Sequence, residues 1–409
     1  MTDVICPYCF ARAAASALPY RCLSRGGGSV SRACDPVRDE VWEAFKGPAI
    51  GAQAAVRGPL FHPRRGLRPR GGRVPCPDCA VPTPTRVCKE CHSDFPSDYC
   101  DQESRIIALV GAVSVGKSTC VTVLMHELRH RVGHTFRAAV AAMGGDTQTR
   151  DRDLERDLYD LGLMPDPTTT AARALNDPLL YRLSLPGGRR GTGTRHTALV
   201  FFDAAGEDLS GIEAMNRYTG YLAAADGIIL LIDPLQLPSV REELSASGPL
   251  LPFEPAPQQR IAADVATQLR SHGRRGSGGR LHTPLAVALT KTDMVRPLLP
   301  AHSPLHANAR HDDGVLHESD RLAVHEEVRS LLIGWDGGEL CRRLDRDFSR
   351  VSYFGFSALG APPPAGAPDK APPGGPQPVR IEDPLLWLLA EQGLLPVRRT
   401  NRRTRGVAE

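Results

Sequence analysis

Aromatic side chains are scarce in this 409-residue chain, at 5% of the total. No apolar stretch reaches the roughly 18 residues that a membrane-spanning helix needs. YLAAADGIILLID is broken by Asp226 and LLWLLAEQGLLP is too short, so a membrane protein is not expected. Neither sign of charge dominates: 50 Lys and Arg stand against 46 Asp and Glu, for +4 at pH 7, which offers little to a partner recognised by charge alone. The arginines mass only at the end, in RRTNRRTRG, where a solvated basic tail is expected over residues 397–409. MTDVICPYCFARAA lacks a basic start, an apolar core and a cleavage site, so a secretory signal is not expected and the reducing cytoplasm is. With 409 residues a core is affordable without disulfides, while 39 Gly and 36 Pro leave long stretches as loop.

What the chain does have is 11 cysteines, most of them near the N-terminus. CPYC supplies Cys6 and Cys9, followed by Cys22 and Cys34; CPDCAVPTPTRVCKEC supplies Cys76, Cys79, Cys88 and Cys91. A CxxC places two thiolates on one tight turn, and a second pair completes a tetrahedron around zinc at about 2.3 Å per bond. The expected grouping is by sequence, the first four around one zinc and the last four around another. An interleaved arrangement, with CPYC sharing a metal with a later pair, is the alternative. A redox CxxC is disfavoured because that chemistry needs one pair beside a βαβ unit, not several in Pro-rich surroundings. Cys100, Cys120 and Cys341 have no partner pattern and read as small buried residues.

Beyond about residue 104 the pattern changes to strands alternating with helical segments. RIIALV, LLYRLSL, TALVFFD, DGIILLID, LAVALT and VSYFGF are the candidate strands, with helices near 117–132, 211–224, 256–271, 318–334 and 384–393. The fold class expected is α/β, a doubly wound sheet with helices on both faces, over residues 104–396, preceded by a cysteine-rich zinc-ribbon region over 1–103. Insertions are expected near 234–258 and 294–313. The Pro/Gly-rich 361–378, APPPAGAPDKAPPGGPQP, is expected to be a flexible loop.

ALVGAVSVGKSTCVTVL joins the first strand to the first helix through a phosphate-binding loop. Gly111 and Gly116 allow the turn that aims backbone N–H groups of Ser114, Val115, Gly116, Lys117, Ser118 and Thr119 at phosphate oxygens. Lys117 reaches the β and γ phosphates, and Ser118 offers a hydroxyl to Mg²⁺. FFDAAGED places Asp203 at a strand end to hold Mg²⁺ through water, with the Gly206 N–H toward the γ-phosphate. In ALTKTD the carboxylate of Asp293 can accept from both N1–H and the exocyclic amine of guanine, which adenine cannot donate. The Lys291 stem would lie over the purine, and Thr290 would brace the phosphate loop. In FSALG, Ser357 and Ala358 complete the site, the Ala358 N–H toward guanine O6.

These ordered motifs, over residues 104–360, resemble the Ras-like, translation-factor-related P-loop GTPases. More narrowly, a four-cysteine N-terminal module ahead of DAAGE and TKTD resembles bacterial double-GTPase-like proteins linked to multi-component conflict or defence systems. The resemblance implies a Mg²⁺-contacting switch threonine, Thr169, with Thr168 and Thr170 as alternatives. Two departures accompany it. Glu207 stands where the Ras-like pattern has the water-orienting glutamine, and Val113 stands where it has a glycine beside the γ-phosphate, so slow hydrolysis is expected. The function expected is a GTP-binding, slowly GTP-hydrolysing switch using Mg²⁺ and Zn²⁺, with catalytic roles for Lys117, Gly206 and Glu207. Since a single phosphate loop is present, any second GTPase is a separate chain, one candidate partner beside an activating protein. The alternatives are a non-hydrolysing GTP-dependent interaction module, or a nucleic-acid adaptor acting through the zinc ribbons; the latter is disfavoured because the N-terminal region lacks interleaved aromatic and basic residues.

Overall fold

The computed structural model describes residues 3–24, 33–47, 53–63, 72–112, 114–165, 178–187, 193–202, 220–245, 258–271, 279–308, 311 and 313–399. Small paired strands build the N-terminal part: β1 (Asp3–Ile5) with β2 (Arg12–Ala14), β3 (Tyr20–Arg21) with β6 (Leu60–Phe61), β4 (Val37–Arg38) with β5 (Val56–Arg57), and β7 (Val74–Pro75) with β8 (Pro82–Thr83). The short helix α1 (Glu40–Lys46) follows β4, capped by the Asp39 carboxylate, which accepts from the Trp42 N–H.

A seven-stranded sheet forms the rest of the scaffold. Its strands are β9 (Glu103–Gly111), β10 (Ala139–Ala142), β11 (Leu179–Pro186), β12 (Thr194–Phe202), β13 (Gly227–Ile232), β14 (Leu285–Leu289) and β16 (Val351–Gly355), in the order β10-β11-β12-β9-β13-β14-β16. From β12 to β16 the pairs are parallel; the β10–β11 and β11–β12 pairs are antiparallel. GIILLI in β13 and LAVAL in β14 are buried at every position, as central parallel strands covered on both faces must be. β9 shows the period of two: Ile106, Ala108 and Val110 enter one core, Ile107 and Leu109 the other. The chain leaves β9 toward β10–β12 on one side and leaves β13 toward β14 on the other. A crevice therefore opens at the carboxyl ends of β9 and β13, the place where open α/β sheets bind ligands.

The six expected strands are present, and the sheet is doubly covered. The seventh, β10, was missed because AVAA is short, weakly apolar and at an edge. The helix expected over 117–132 is two, α2 (Lys117–Arg129) and α3 (Arg131–Phe136), broken at His130 (φ −105°, ψ −98°). α4 (Gly145–Glu155) and the helix Gly338–Asp347 were not anticipated, and the region read as irregular near 234–258 contains the helix Pro238–Ser245. The helices Gln258–Ser271, Glu318–Leu332 and Asp383–Glu391 lie near their expected places. Residues 220–224 are helical, and the part of the expected 211–224 helix before them lies outside the described residues.

The segment 361–378, expected to be a loop, forms turns and no helix. Its backbone is tied down: the Met164 N–H donates to Asp369 O, Ala371 N–H to Gly162 O and Gln377 N–H to Leu359 O, while Ala371 is buried. Proline and glycine preclude a helix here, but turns with tertiary hydrogen bonds serve instead. The start of the basic tail is likewise not free, since β17 (Val397–Arg398) pairs in parallel with β15 (Leu316–His317). Cys100, Cys120 and Cys341 are buried, as read. No helix among the described residues is long and apolar enough to cross a membrane.

The N-terminal part shares a core with the sheet. Val4, Ile5, Phe10, Leu18, Phe95 and Tyr99 pack in the same cluster as Ile106, Val110 and Tyr221. The Phe10 and Tyr221 rings are 5.6 Å apart, and the Tyr221 hydroxyl donates to Ile107 O while accepting from the Leu109 N–H.

Candidate nucleotide site and four-cysteine clusters

The loop after β9 ends at Gly116, left-handed at φ 94°, and passes straight into α2, so the positive end of that helix faces the crevice. Gly111 is required by space: a Cβ there would lie 2.9 Å from Val115 Cγ1 and 3.0 Å from both Leu231 Cβ and Leu231 O. Val115 is accordingly a core residue, 1% exposed, whose side chain fills the sheet rather than facing a ligand. Ser114 is exposed and left-handed at φ 62°. Lys117 is buried, and its ammonium donates to Gly111 O at 2.8 Å and Ala112 O at 3.1 Å, which lays the charge across the mouth of the loop. Ser118 and Thr119 follow in the first turn of α2, Thr119 buried and Ser118 half-buried.

The base side comes from the ends of β14 and β16. Lys291, left-handed at φ 50°, reaches back to Ser114 O at 3.0 Å and pairs with the fully buried Asp233 at 2.6 Å. Bracing the phosphate loop thus falls to Lys291. Thr290, assigned that role from sequence, instead sends its hydroxyl to Ile232 O at 3.2 Å, within the sheet. Asp293 Oδ1 accepts from the Ser357 hydroxyl at 2.5 Å, and the same hydroxyl accepts from the Gly360 N–H at 2.7 Å. Burial pushes the Asp293 carboxyl up, opposed by the Ser357 hydrogen bond and the Lys291 charge. Ala358 sits half-buried beside them. Thr168, Thr169, Thr170, Asp203, Gly206, Glu207 and Val113 lie outside the described residues.

Sequence reasoning missed one residue, Asp233, and one contact, since Ser357 was expected in the site but its hydrogen bond to Asp293 was not. Asp233 ends DGIILLID as Asp203 ends TALVFFD, which was a signal available in the pattern. The Ser357 hydroxyl acting on Asp293 had none, since 64 residues separate them.

The cysteines are interleaved. Cys6, Cys9, Cys88 and Cys91 form one cluster and Cys22, Cys34, Cys76 and Cys79 the other, so the grouping by sequence is corrected in favour of its alternative. Sulfur pairs across each cluster lie 3.7 and 3.6 Å apart in the first and 3.5 and 3.7 Å in the second. A zinc tetrahedron with ~2.3 Å bonds has ~3.8 Å edges, so both sets fit that ion. All are free thiols. CPYCF, CPDCA and CKECH close the same turn: Phe10, Ala80 and His92 are left-handed, at φ 63°, 59° and 53°, and each donates its N–H to the carbonyl of the first cysteine. The Tyr8, Ser24 and Glu90 N–H groups point at Cys6, Cys22 and Cys88 sulfurs at 3.4 Å, as donors to thiolates do. Between the clusters the buried Arg21 pairs with Asp39 at 3.0 Å and Asp94 at 2.7 Å, and His92 with Asp39 at 2.7 Å. Arg21 of β3 and Asp39, the cap of α1, thereby join knuckles that are distant in sequence.

A Double-GTPase 2 family model matches residues 105–330, the stretch holding β9, the phosphate loop, β13 and the Lys291–Asp293 segment. The chain belongs to the Double-GTPase 2 family. This Double-GTPase 2 chain is also 27% identical, over 95% of its length and 99% of the relative's, to the Mycolicibacterium smegmatis protein SaeC, named provisionally as an ESX-1 scaffolding and assembly protein. Among solved structures it is similar to the Arl6 small GTPase of Trypanosoma brucei, at 13% identity and TM-score 0.27, covering 71% of this chain and 98% of that one. It is similar too to a Sup35–GDP complex, at 17% identity and TM-score 0.25, covering 63% of this chain and 38% of that one.

Proposed function

We propose that this protein is a GTP-binding, slowly hydrolysing switch that serves as an assembly module for a bacterial multi-protein apparatus. The observation that carries the reading is the Thr290–Asp293 segment. Lys291 bridges the Ser114 carbonyl and Asp233, and Asp293, two residues on, is oriented by Ser357, so one short stretch unites the phosphate and base halves of the crevice. Phosphates meet the N–H groups of residues 114–119 and the Lys117 ammonium; N1–H and the amine of guanine meet Asp293, and O6 meets the Ala358 N–H. Ser118, with Asp203 and Thr169, would hold Mg²⁺, which would supply positive charge against the phosphates. Gly206 would donate its N–H to the γ-phosphate, and Glu207, in the water-orienting position, keeps turnover slow because a carboxylate there is repelled by that phosphate.

Two zinc ions would hold the N-terminal knuckles, the first against the sheet where Phe10 meets Tyr221. Tyr221 lies 13 residues after DAAGED in sequence, so a change in that motif on hydrolysis would have a route to the zinc module through the Phe10 contact. The likeness to SaeC over nearly the whole of both chains, zinc module included, supports secretion-apparatus assembly over a conflict system as the setting.

The test is competition among GTP, XTP and ATP, followed by phosphate release. The parent should prefer GTP over ATP by a hundredfold or more, as loss of two charge-assisted bonds of about 1.5–3 kcal/mol each implies. Asp293→Asn should shift preference toward XTP, and Lys117→Ala should abolish tight binding. Equal binding of ATP and GTP by the parent would overturn the reading, and tight GTP binding without phosphate release would leave a non-hydrolysing module.

A further inference from the structure

A third cluster lies away from both the crevice and the cysteines. His126 and His130 are one helical turn apart at the carboxyl end of α2, the His130 N–H still donating to His126 O at 3.1 Å. Glu155, the last residue of α4, faces them, and one ligand atom from each of the three lies within 4.8 Å of the others. His126 Nδ1 is 2.7 Å from Glu155 Oε1, and the two imidazole centroids are 4.3 Å apart.

The surroundings are those of a built ligand set. Tyr159 stacks on His126 at 3.9 Å with an 18° tilt, which fixes the plane of that ring. Glu155 Oε2 accepts from Arg129 at 2.8 Å, which orients the carboxylate and leaves Oε1 toward the histidines. Arg129 also pairs with Asp151, whose other oxygen accepts from the Tyr181 hydroxyl at 2.8 Å. Asp151 and Glu155 share Arg129 as an ion-pair partner, which holds both carboxylates in place. Glu127, also near, is matched by Arg131. The ring of His130, which is exposed, meets no hydrogen-bond partner among the described residues.

We infer that His126, His130 and Glu155 form a third metal site, for a divalent late first-row ion such as Ni²⁺, Co²⁺ or Zn²⁺. Two imidazoles and one carboxylate are the donor set those ions take, and three protein ligands leave the remaining positions to water. The three ligand atoms lie within 4.8 Å of one another, and the exposure of His130 leaves its ring room to close on an ion held at about 2.1 Å. The site offers nitrogen and oxygen donors where the cysteine clusters offer sulfur, and it is open where they are closed, so its ion exchanges while theirs stay. It joins the helix that begins at the phosphate loop to α4, the helix that precedes Thr168–Thr170 in sequence.

The experiment adds Ni²⁺, and separately Co²⁺, to the full chain carrying zinc in its cysteine clusters, at neutral pH. Calorimetry and metal analysis after dialysis should find one further equivalent, and bound Co²⁺ should show weak visible bands without sulfur-to-metal charge transfer. His130→Ala, an exposed change that disturbs no core, and Glu155→Gln should each weaken this uptake more than about tenfold while leaving zinc content unchanged. No uptake beyond the zinc at millimolar metal, or the same uptake by His130→Ala and the parent with both folded by thermal melting, would overturn the site. Co²⁺ bands carrying sulfur charge transfer would assign the added ion to the cysteines and overturn it equally.

Discussion

Removing one hydroxyl tests how the base side of the crevice is built. Ser357 is 2% exposed, donates to Asp293 Oδ1 at 2.5 Å and accepts from the Gly360 N–H at 2.7 Å. Ser357→Ala deletes a bond to an ionised carboxylate, about 1.5–3 kcal/mol, and leaves the Gly360 N–H without its partner, about 1–3 kcal/mol. Much of that loss is common to the free and nucleotide-bound protein and cancels in binding. What remains is the orientation of the carboxylate, about 1–2 kcal/mol, so GDP should bind roughly 5–30-fold more weakly. The pH dependence has a definite sign. Burial already raises the Asp293 pKa, and Ser357 opposes that rise. Guanine requires the carboxylate, so affinity falls as pH drops through the raised pKa, and in Ser357→Ala the fall should begin at higher pH. Fluorescent-GDP titrations across pH read both effects. Because the hydroxyl acts through Asp293, Ser357→Ala combined with Asp293→Asn should be little worse than Asp293→Asn alone. GDP binding within twofold of the parent at every pH, or full additivity in the double variant, would refute the arrangement.

Gly111→Ala should cost about 1–3 kcal/mol in chemical denaturation and weaken GDP binding, since its methyl would meet Val115 and Leu231 at 2.9–3.0 Å; an unchanged midpoint would contradict that packing. Metal analysis should find two zinc ions, with Cys88→Ser and Cys76→Ser each losing one. Cys88→Ser should lower the melting temperature more, because its cluster packs in the core shared with the sheet, and the reverse order would count against that coupling. His311, buried, meets Asp383 Oδ1 at 3.1 Å; burial acts to lower its pKa, but the Asp383 hydrogen bond and charge prevail and raise it. That stabilisation is complete below the unfolded value near ~6.5 and is lost as pH rises through the folded one. The melting-temperature gap between parent and His311→Gln should therefore be widest at acid pH, and a gap that widens toward alkaline pH would reverse the assignment.

Local pattern made the strands of the sheet legible, because β13 and β14 are buried on both faces and read as unbroken apolar runs. The phosphate loop was legible for a related reason: a loop that wraps phosphates is contiguous, so its glycines, lysine and serine stand in one stretch of sequence. β10 was not, since AVAA at an edge carries little apolar signal. α4 was not either, since GDTQTRDRDLE is polar on nearly every face and lies between segments that gave no boundary.

The sequence by itself determined the residue types and their short spacings: the loop from Gly111 to Thr119, the carboxylate at Asp293, and eight cysteines suited to two tetrahedra. Tertiary structure decided which distant residues meet. It paired the CPYC knuckle with Cys88 and Cys91, 79 residues or more away, and left Cys22 and Cys34 to Cys76 and Cys79. It also gave the brace of the phosphate loop to Lys291 rather than Thr290. The reason is physical: a turn is closed by neighbours in the chain, and its residues announce it. A tetrahedron or an ion pair closed across strands depends on the order in which the sheet is laid down and on which buried group would otherwise lack a partner, and neither is written in any one stretch of sequence.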